Sequence, residues 1–423
     1  MLLDRRGAIR AGLAAVAALA APAVLGQARP RVVVVGGGAG GASFARALAM
    51  GGGGGVDVTL IEPSKEYYTC FFGNLYIGGF VEFASLGHSY AGLAVNHAIN
   101  VVHDWALAID RDPRQVVLAG GGRVPYDRLV LSPGIDFIEG AIPGWDIAAE
   151  ARMPHAYKGG TQVALLKAQV AAMPQGGVFA LVAPPNPYRC PPGPYERVSM
   201  IAHHLRATNP TAKILIFEPK EAFAKQQLFE AGWSDHYPGM IEVLPDAFTG
   251  GVERVDAAAM EIVAGGEVTR VDAACVIGPQ RAGRIVQVAG LTDATGWAPI
   301  DPFTMRARAD PFVTVLGDSA QPGDMPKSAF AANSQAKVAA MAILVDLLEA
   351  PGFAPRYANV CWSLIDTDDC VRIGAAFAPT PEKIATVDGS AFLSAVGEDA
   401  ETRRTNYLAS LAWYAAITND MFA

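Results

Sequence analysis

The stretch RVVVVGGGAGG, residues 31–41, decides the fold of this chain. Its β-branched half predicts a strand that ends in a glycine turn, and the Ala-rich segment that follows, up to Met50, predicts a helix. Five consecutive glycines, 51–55, predict a flexible loop, and residues 56–61 predict the next strand. Strand, glycine turn, helix and strand in this order indicate a Rossmann-like unit of the α/β class.

The glycine turn has the spacing of a dinucleotide site, because Gly36, Gly38 and Gly41 fit the pattern G-x-G-x-x-G. The first glycine permits the tight turn, the second lets a pyrophosphate approach the backbone, and the third lets the helix pack on the strand. Glu62 follows the second strand, where a carboxylate can hold ribose hydroxyls. Taken alone, such a motif is also compatible with a purely structural turn. The flanking strands, helix and acid favour nucleotide binding.

Two later segments indicate which dinucleotide is bound. Residues 313–318 (VTVLGD) form an apolar run that ends in Gly317-Asp318, and it resembles the second fingerprint of two-dinucleotide-domain flavoproteins. Residues 129–134 (LVLSPG) resemble the strand that connects the domains of those proteins. The resemblance implies FAD as cofactor, with Asp318 at its ribityl chain. The predicted cofactor-binding residues are Gly36, Gly38, Gly41, Glu62, Cys70, Gly134, Asp318 and Lys327.

A second strand–helix–strand unit lies in mid-chain, with strands over 178–182 and 213–217 and a helix over 199–207. The loop after its first strand, residues 183–194, contains six prolines where a second glycine turn would hold NAD(P)H. Each proline lacks the backbone N–H that a pyrophosphate needs. We therefore expect no nicotinamide site, and a small electron donor instead. Cys190 lies in the middle of this loop.

The sequence divides into an export signal and three domains, one of which is discontinuous. We predict an export signal over 1–28, a discontinuous FAD-binding domain over 29–142 and 280–348, and a second Rossmann-like domain over 143–279. Pro351, Gly352 and Pro355 follow a helix predicted over 327–348 and introduce a small C-terminal α+β domain, 349–423. The predicted fold class is thus α/β, with two Rossmann-like domains and a C-terminal interface domain.

The first residues have the features of an export signal. Arg5-Arg6 precede an uncharged apolar stretch, 11–25, and small residues follow at 26–28. The segment resembles a twin-arginine signal, while a Sec signal or an uncleaved anchor is the alternative. It predicts a periplasmic protein with no membrane span in its mature chain.

Composition excludes one class of partner. The formal net charge is −8 and the sequence contains no basic stripe, so nucleic acid is a poor partner. The acidic balance suits a basic protein partner, although solubility alone also explains it. Neighbouring helical residues do not share a face, so His203 and His204 predict no metal site.

The chain has five cysteines, and none of them forms a C-x-x-C or C-x-x-C-H motif. Cys275 lies in an apolar segment and is expected to be a buried strand thiol without a catalytic role.

Several segments around the other cysteines resemble one family, the flavoprotein subunit of flavocytochrome c sulfide dehydrogenase, over nearly the whole mature chain. They are 67–70 (YYTC), the Cys190 loop through Glu196, 223–226 (FAKQ), 325–328 (MPKS), 332–335 (ANSQ) and 359–361 (NVC). The resemblance implies that Cys70 is joined through its sulfur to the flavin. It also implies that Cys190 and Cys361 form a redox-active disulfide beside the flavin. The 51–55 loop and Cys370 have no place in the family pattern.

A hairpin predicted over 361–365 and 370–377 bears on this pairing. If residue 365 faces 370 and 361 faces 374, Cys361 and Cys370 are offset by about 13 Å along the ladder. That offset exceeds the ~7 Å Cα separation that a disulfide tolerates. Cys361 is therefore expected to reach the Cys190 loop, either as a redox centre or as a purely structural staple.

Two further residues are candidates for the site. Glu196, six residues after Cys190, is expected to manage protons at the disulfide, or else to be a solvated carboxylate. Lys327 opens the last helix of the FAD domain, whose N-terminal dipole favours a negative charge on the reduced flavin.

The family resemblance implies that hydrosulfide attacks the disulfide and that electrons pass through FAD to a c-type cytochrome partner. A rival function is sulfide:quinone oxidoreductase, which should present a basic, membrane-dipping segment, whereas residues 406–423 contain no Lys or Arg. A rival of another class is a non-catalytic flavoprotein that binds a sulfur-oxidising complex.

Overall fold

The computed structural model describes residues 28–423. The predicted export signal, apart from its last residue, lies outside the described residues.

The described chain alternates strands and helices. In chain order the strands are β1 (Arg31–Val35), β2 (Asp57–Ile61), β3 (Glu66–Tyr68), β4 (Gly87–Ser89), β5 (Asn100–Val102), β6 (Ala106–Asp110), β7 (Gln115–Leu118), β8 (Arg123–Pro125), β9 (Arg128–Leu131), β10 (Ile135–Phe137), β11 (Val178–Val182), β12 (Lys213–Glu218), β13 (Ile241–Pro245), β14 (Val252–Asp256), β15 (Glu261–Ala264), β16 (Glu267–Arg270), β17 (Ala273–Val276), β18 (Gln280–Ala282), β19 (Ala298–Pro299), β20 (Val313–Val315), β21 (Ala320–Gln321), β22 (Tyr357–Asp366), β23 (Asp369–Pro379), β24 (Ile384–Thr386) and β25 (Phe392–Leu393). The helices are α1 (Gly41–Gly52), α2 (Gly73–Gly78), α3 (Ala91–His97), α4 (Thr161–Ala171), α5 (Gly193–Thr208), α6 (Gln226–His236), α7 (Asp246–Thr249), α8 (Arg284–Val288), α9 (Ala329–Leu348) and α10 (Ala400–Phe422).

The first sheet has five parallel strands in the order β20-β9-β1-β2-β5. Its valine and leucine strands are buried because α1 and α9 pack against the sheet, and Phe44 and Leu48 of α1 are fully buried there. Since all five strands run the same way, the glycine turn after β1 and Gly317 after β20 meet at one edge.

The second sheet is also parallel, in the order β13-β12-β11-β17. Helices α4, α5 and α6 share one hydrophobic core with this sheet, to which they contribute Leu166, Ile201 and Phe229. The two sheets confirm the predicted α/β class with two Rossmann-like units.

The C-terminal part is built on the long β22–β23 hairpin, extended by β24 and β25. Helix α10 then returns to the first domain. Asp420 pairs with Lys337 at 2.6 Å, and the Arg46 Nε donates to the Ala423 carbonyl at 2.7 Å. The C-terminal helix thereby covers the FAD-domain helices α1 and α9.

Two predicted helix bounds were wrong. Helix α1 continues through Gly51 and Gly52 rather than ending at Met50, because these glycines let α9 approach: a Cβ on Gly51 would lie 2.6 Å from the Leu344 side chain. Helix α5 begins at Gly193, six residues before the predicted start at 199. Proline is tolerated in a first helical turn, so Pro194 belongs to the helix and not to the loop.

The predicted hairpin register was wrong by one residue. The turn contains only two residues, Thr367 and Asp368, and a bulge follows Leu364, so that Cys361 pairs with Ile373 and Cys370 with Leu364. A two-residue turn with a positive φ at Asp368 closes the strands more tightly than the predicted four-residue turn. Because side chains alternate along a strand, Cys361 and Cys370 point to opposite faces in this register, whereas the predicted register would have placed them on the same face.

Within residues 28–423, α9 is the one helix long and apolar enough to cross a membrane by length and composition. Of its most apolar stretch, 56% is buried inside the protein. This helix forms part of the core of the first domain.

Candidate functional site

A cavity of about 180 Å³ lies at the edge where the glycine turn and Gly317 meet. Its walls come from the first sheet and from the start of α9. The lining residues include Gly36, Gly37, Gly38, Ala39, Gly40, Glu62, Tyr67, Cys70, Ser132, Gly134, Arg189, Asp318 and Ser328. Of the predicted cofactor-binding residues, the structure brings Gly36, Gly38, Glu62, Cys70, Gly134 and Asp318 to this wall, and Gly41 directly behind it.

The glycines have the geometry that their spacing predicts. Gly36 has a φ of +98°, and a Cβ on Gly41 would lie 1.9 Å from the Gly36 carbonyl oxygen. At Gly38, by contrast, the nearest atom to a Cβ is 3.6 Å away on the Tyr67 ring. Gly36 and Gly41 therefore hold the turn, while Gly38 leaves its backbone open toward the cavity.

Two carboxylates line this cavity. Glu62 accepts hydrogen bonds from the Gly37 N–H at 2.9 Å and the Ser64 N–H at 3.0 Å, so its position is fixed by the turn. The Asp318 Oδ1 is buried without a hydrogen-bond partner, and burial raises the pKa of this carboxyl. An unpaired buried acceptor beside an open cradle fits a hydroxyl-bearing ligand. The cavity and its donor set thus fit the FAD that the sequence implies.

A second cavity, of about 110 Å³, adjoins the first. It is bordered by four cysteines, Cys70, Cys190, Cys361 and Cys370, which come from four separate segments of the chain. The two cavities have five lining residues in common: Cys70, Phe71, Arg189, Ser328 and Ala329. The predicted disulfide cysteines and the predicted cofactor cradle therefore lie side by side.

Cys190 is held by the proline loop in a left-handed conformation, with a φ of +56°. Its N–H donates to the Lys327 carbonyl at 2.8 Å, which joins the loop of the second domain to the first residues before α9. A Cβ on Gly193 would lie 2.8 Å from the Cys190 Sγ, so the first residue of α5 has to be small. Burial raises the pKa of the Cys190 thiol.

Cys361 comes from β22. The Asn359 Nδ2 donates to the Cys361 Sγ at 3.5 Å, and Asn359 in turn accepts from the Ser328 hydroxyl at the start of α9. Burial raises the pKa of the Cys361 thiol, and the ammonium of Lys225 opposes this rise. All five cysteines are free thiols in the structure, so the Cys190–Cys361 disulfide stays a prediction.

Glu196 lies in the first turn of α5 and faces the second cavity. Its carboxylate accepts from the Asn74 Nδ2 at 2.8 Å and from the Leu364 N–H at 2.9 Å. Burial raises its pKa, and a carboxyl group with a raised pKa is suited to proton exchange. Glu196 therefore lies in the same cavity wall as the cysteines and is not a solvated surface carboxylate.

Lys327 does not line either cavity. Its Nζ donates to the carbonyls of Asp318 at 2.7 Å and Ala320 at 2.6 Å, and lies 3.7 Å from the centre of the Trp297 ring. Burial lowers the pKa of Lys327 to about 8. In this geometry Lys327 positions the Asp318 segment, and Ser328, which caps α9, takes the place at the wall.

Arg189 is a site residue that the sequence did not single out. Its guanidinium lies 3.9 Å from the Asp318 carboxylate and 4.7 Å from the centre of the Tyr157 ring, and it borders both cavities. It places a positive charge between the cysteines and the cofactor cradle. The available signal was its position directly before Cys190 in a loop that is otherwise uncharged.

Cys370, which has no counterpart in the family pattern, lies next to the predicted pair. It is 1% exposed and packs with Leu75, Met200 and Leu364, yet it borders the cavity that contains Cys190 and Cys361. Cys275, by contrast, is fully buried on β17, where the Arg197 guanidinium donates to its sulfur at 3.2 Å.

A third cavity, of about 440 Å³, has Cys361 in its wall as well. Its lining is mostly apolar and includes Ile373, Ala375 and Phe377 of β23. By the hairpin register these side chains share the face of Cys361. The cavity also includes Phe392, which is 39% exposed, so this side of Cys361 lies close to solvent.

In the second Rossmann-like unit, the carboxylate at the end of the second strand is engaged by neighbouring side chains. Glu218 ends β12, the position that corresponds to Glu62 in the first unit. It is 2% exposed, accepts a hydrogen bond from the Tyr195 hydroxyl, and pairs with Lys220 at 2.6 Å. Its carboxylate is engaged by the protein itself, and the absence of nicotinamide binding expected from the six prolines stays a prediction.

Within residues 28–423, no group of three or more His, Cys, Asp or Glu side chains is arranged to hold a metal ion.

Comparisons with known proteins match three parts of the chain to families. Residues 163–278 match the central region of the sulfide dehydrogenase (flavocytochrome c) flavoprotein chain, and residues 353–422 match the flavin-binding region of flavocytochrome c sulfide dehydrogenase. Residues 30–164 match the pyridine nucleotide-disulfide oxidoreductase family.

Solved structures with the same fold include three oxidoreductases. The sulfide:quinone oxidoreductase from Aquifex aeolicus is 16% identical, with a TM-score of 0.71 over 93% of this chain and 92% of that one. A NAD-dependent persulfide reductase from A. fulgidus is 17% identical, with a TM-score of 0.60 over 90% and 77%. NDH2 from Plasmodium falciparum is 12% identical, with a TM-score of 0.66 over 90% and 97%. At these identities the likeness concerns the fold alone.

The occupied Glu218 and the proline loop predict that nicotinamides do not reduce this protein. At about 1 mM NADH or NADPH, the upper end of ordinary KM values, the flavin absorbance of the anaerobic holoprotein should stay constant. Dithionite serves as the control that the flavin can be reduced. Rapid bleaching by NADH would contradict the assignment of the second domain.

Proposed function

Because this chain belongs to the flavoprotein-chain family of flavocytochrome c sulfide dehydrogenase, we propose that it oxidises hydrosulfide at a Cys190–Cys361 disulfide. The protein is an FAD-dependent oxidoreductase of the sulfide dehydrogenase type. The observation that carries the proposal is the position of Cys190 and Cys361 in one cavity, directly beside the cofactor cradle.

In the first step of the proposed reaction, the two sulfurs of the disulfide have different roles. Hydrosulfide attacks one sulfur of the disulfide, which leaves a persulfide on that sulfur and a thiolate on the other. Glu196 is placed to exchange the proton of the sulfur species, since its raised pKa and its place at the cavity wall suit a proton carrier. Bound FAD would supply an acceptor that takes an electron pair and releases single electrons.

The cofactor would be held by the residues around the first cavity. Glu62 and Asp318 offer acceptors to ribose and ribityl hydroxyls, and the open backbone at Gly38 offers room for the pyrophosphate. We propose a covalent bond from the Cys70 sulfur to the flavin. In support, Cys70 lies in the wall of both cavities, between the cradle and the cysteine pair.

The electron acceptor is proposed to be a c-type cytochrome subunit. The sequence has no C-x-x-C-H motif for covalent haem attachment, so the haem has to come from a partner. The net charge of −8 suits a basic partner surface. The twin-arginine-like segment supports a periplasmic location.

The quinone-reducing alternative would need a surface that enters the membrane. The segment considered for that role, 406–423, is part of α10, and Met421 and Phe422 at its end are buried against the first domain. Asp420 is engaged with Lys337. This packing favours the cytochrome-linked function.

Substitution of the cysteine pair should separate a redox centre from a structural staple. Cys190→Ser and Cys361→Ser should bind FAD with a near-normal spectrum, while anaerobic bleaching by sulfide slows on the order of 10³-fold or more, because no disulfide remains to be attacked. Cys370→Ser, from the same cavity but the other face of the hairpin, is the matched control and should bleach normally.

If the bond were only structural, the same two substitutions would lower the free energy of unfolding by about 2–4 kcal/mol and leave bleaching intact. Wild-type bleaching in folded Cys361→Ser would contradict the proposed mechanism. The non-catalytic role makes a different prediction, because it expects no sulfide-dependent bleaching even in the wild type.

Covalent attachment makes a separate prediction for Cys70. Acid precipitation of the wild type should leave the yellow colour in the pellet, and a denaturing gel should show flavin fluorescence at the mass of the chain. Cys70→Ala should release FAD into the supernatant, whereas Cys275→Ala should retain it. A colourless wild-type pellet would rule out the bond.

A further inference from the structure

Lys225 is a buried positive charge beside the cysteine pair. The proposed reaction as described so far gives this residue no role. The residue is 6% exposed and directly precedes α6. Its backbone has a φ of +63°, and its carbonyl accepts from the N–H groups of Leu228 and Phe229, each at 3.0 Å. Its backbone is therefore fixed by the first turn of the helix.

The ammonium of Lys225 uses its three donors on neutral oxygens. Its Nζ donates to the Cys361 carbonyl at 2.8 Å, the Ser363 hydroxyl at 2.9 Å and the Val371 carbonyl at 3.3 Å. These acceptors lie on both strands of the hairpin. Within the described part of the chain, no Asp or Glu forms an ion pair with Lys225.

A buried ammonium without an anionic partner is costly, because neutral acceptors replace only part of its hydration. The cost falls when an anion forms nearby. The groups that act electrostatically on Lys225 are Cys361, Cys370, Glu196 and Cys190, in decreasing order. Burial lowers the pKa of Lys225, and all four groups oppose that fall when they carry charge.

The opening of the disulfide creates such an anion. When the sulfur of hydrosulfide bonds to one sulfur of the pair, the old S–S bond breaks and its electron pair stays on the other sulfur. The negative charge of the hydrosulfide is thereby kept on the pair, as a thiolate or a persulfide anion. The oxidised pair is neutral, so an adjacent ammonium favours the opened form over the closed one.

We propose that Lys225 is the counter-ion of the sulfur anion that forms at Cys361 when the pair opens. Lys225 is then a positioning residue, since it acts through Cys361 and not on the substrate. This inference rests on the proposed function and deepens it: the site is built for an anionic sulfur intermediate, with the compensating charge supplied by the second domain and the sulfur by the C-terminal hairpin.

The test measures the thiolate character of Cys361 and does not use sulfide. Reduced, anaerobic holoprotein is alkylated with iodoacetamide at fixed pH, and mass spectrometry follows the peptides of Cys361 and Cys190 with time. Alkylation proceeds through the thiolate, so its rate reports the electrostatic environment of each sulfur. In Lys225→Gln and Lys225→Met, Cys361 should react at least about tenfold more slowly than in the wild type. Lys225→Arg, which keeps the charge, should react at nearly the wild-type rate.

Lys167→Met is the matched control. Lys167 is also partly buried and donates to a backbone carbonyl, that of Tyr76 at 2.6 Å, but no cysteine acts on its charge. It should leave the Cys361 rate unchanged. Lys225→Gln keeps two N–H donors for the hairpin, so it guards against the misfolding that Lys225→Met risks.

Equal Cys361 rates in the wild type and folded Lys225→Gln would overturn the inference. So would an equal slowing in Lys225→Gln and Lys225→Arg, which would assign Lys225 a packing role only. Normal sulfide bleaching in Cys361→Ser would instead contradict the proposed function. The two failures are therefore distinguishable.

Discussion

The hydrogen bond from the Cys190 N–H to the Lys327 carbonyl connects two parts of the molecule that the chain keeps far apart. On one side, the proline rings restrict the backbone of the loop in the second domain, and Cys190 adopts a left-handed conformation there. On the other side, Ser328 caps α9 and binds Asn359, which contacts the Cys361 sulfur. The position of each cysteine thus depends on the residues just before α9, and α9 also forms the wall of the cofactor cradle.

Charge is distributed around the two cavities in a consistent way. Arg189 stands between the cysteines and Asp318, while Lys225 lies on the far side of Cys361. Lys225 is a buried cation and Arg189 a partly buried one, and both flank places where the proposed chemistry creates negative charge. Glu196 accepts hydrogen bonds from neutral donors, and burial raises its pKa, so it is suited to carry a proton beside these cations. The environment favours anionic sulfur while it still provides a route for protons.

The sequence was sufficient for features that rest on short-range backbone rules. The glycine spacing predicted the close contact of Gly41 with Gly36. The absence of a second nucleotide site, expected from the six prolines, stays a prediction. The placement of Cys190 and Cys361 near one another came from family resemblance, since their separation in the chain leaves pairing undetermined. Features that depend on packing between segments were missed or wrong. The hairpin register depends on a two-residue turn and a bulge. The contacts of Arg189 with Asp318 and of Lys225 with Cys361 join residues more than a hundred positions apart in the chain.

The central claim is that Cys190 and Cys361 are the pair that opens and closes. The most direct measurement is peptide mapping of the air-oxidised, flavin-loaded protein, digested without reductant and analysed by mass spectrometry. The account predicts one cross-linked peptide that joins Cys190 to Cys361 and disappears on reduction, with Cys275 and Cys370 recovered as free thiols. A cross-link that includes Cys370, or no cross-link at all, would contradict it.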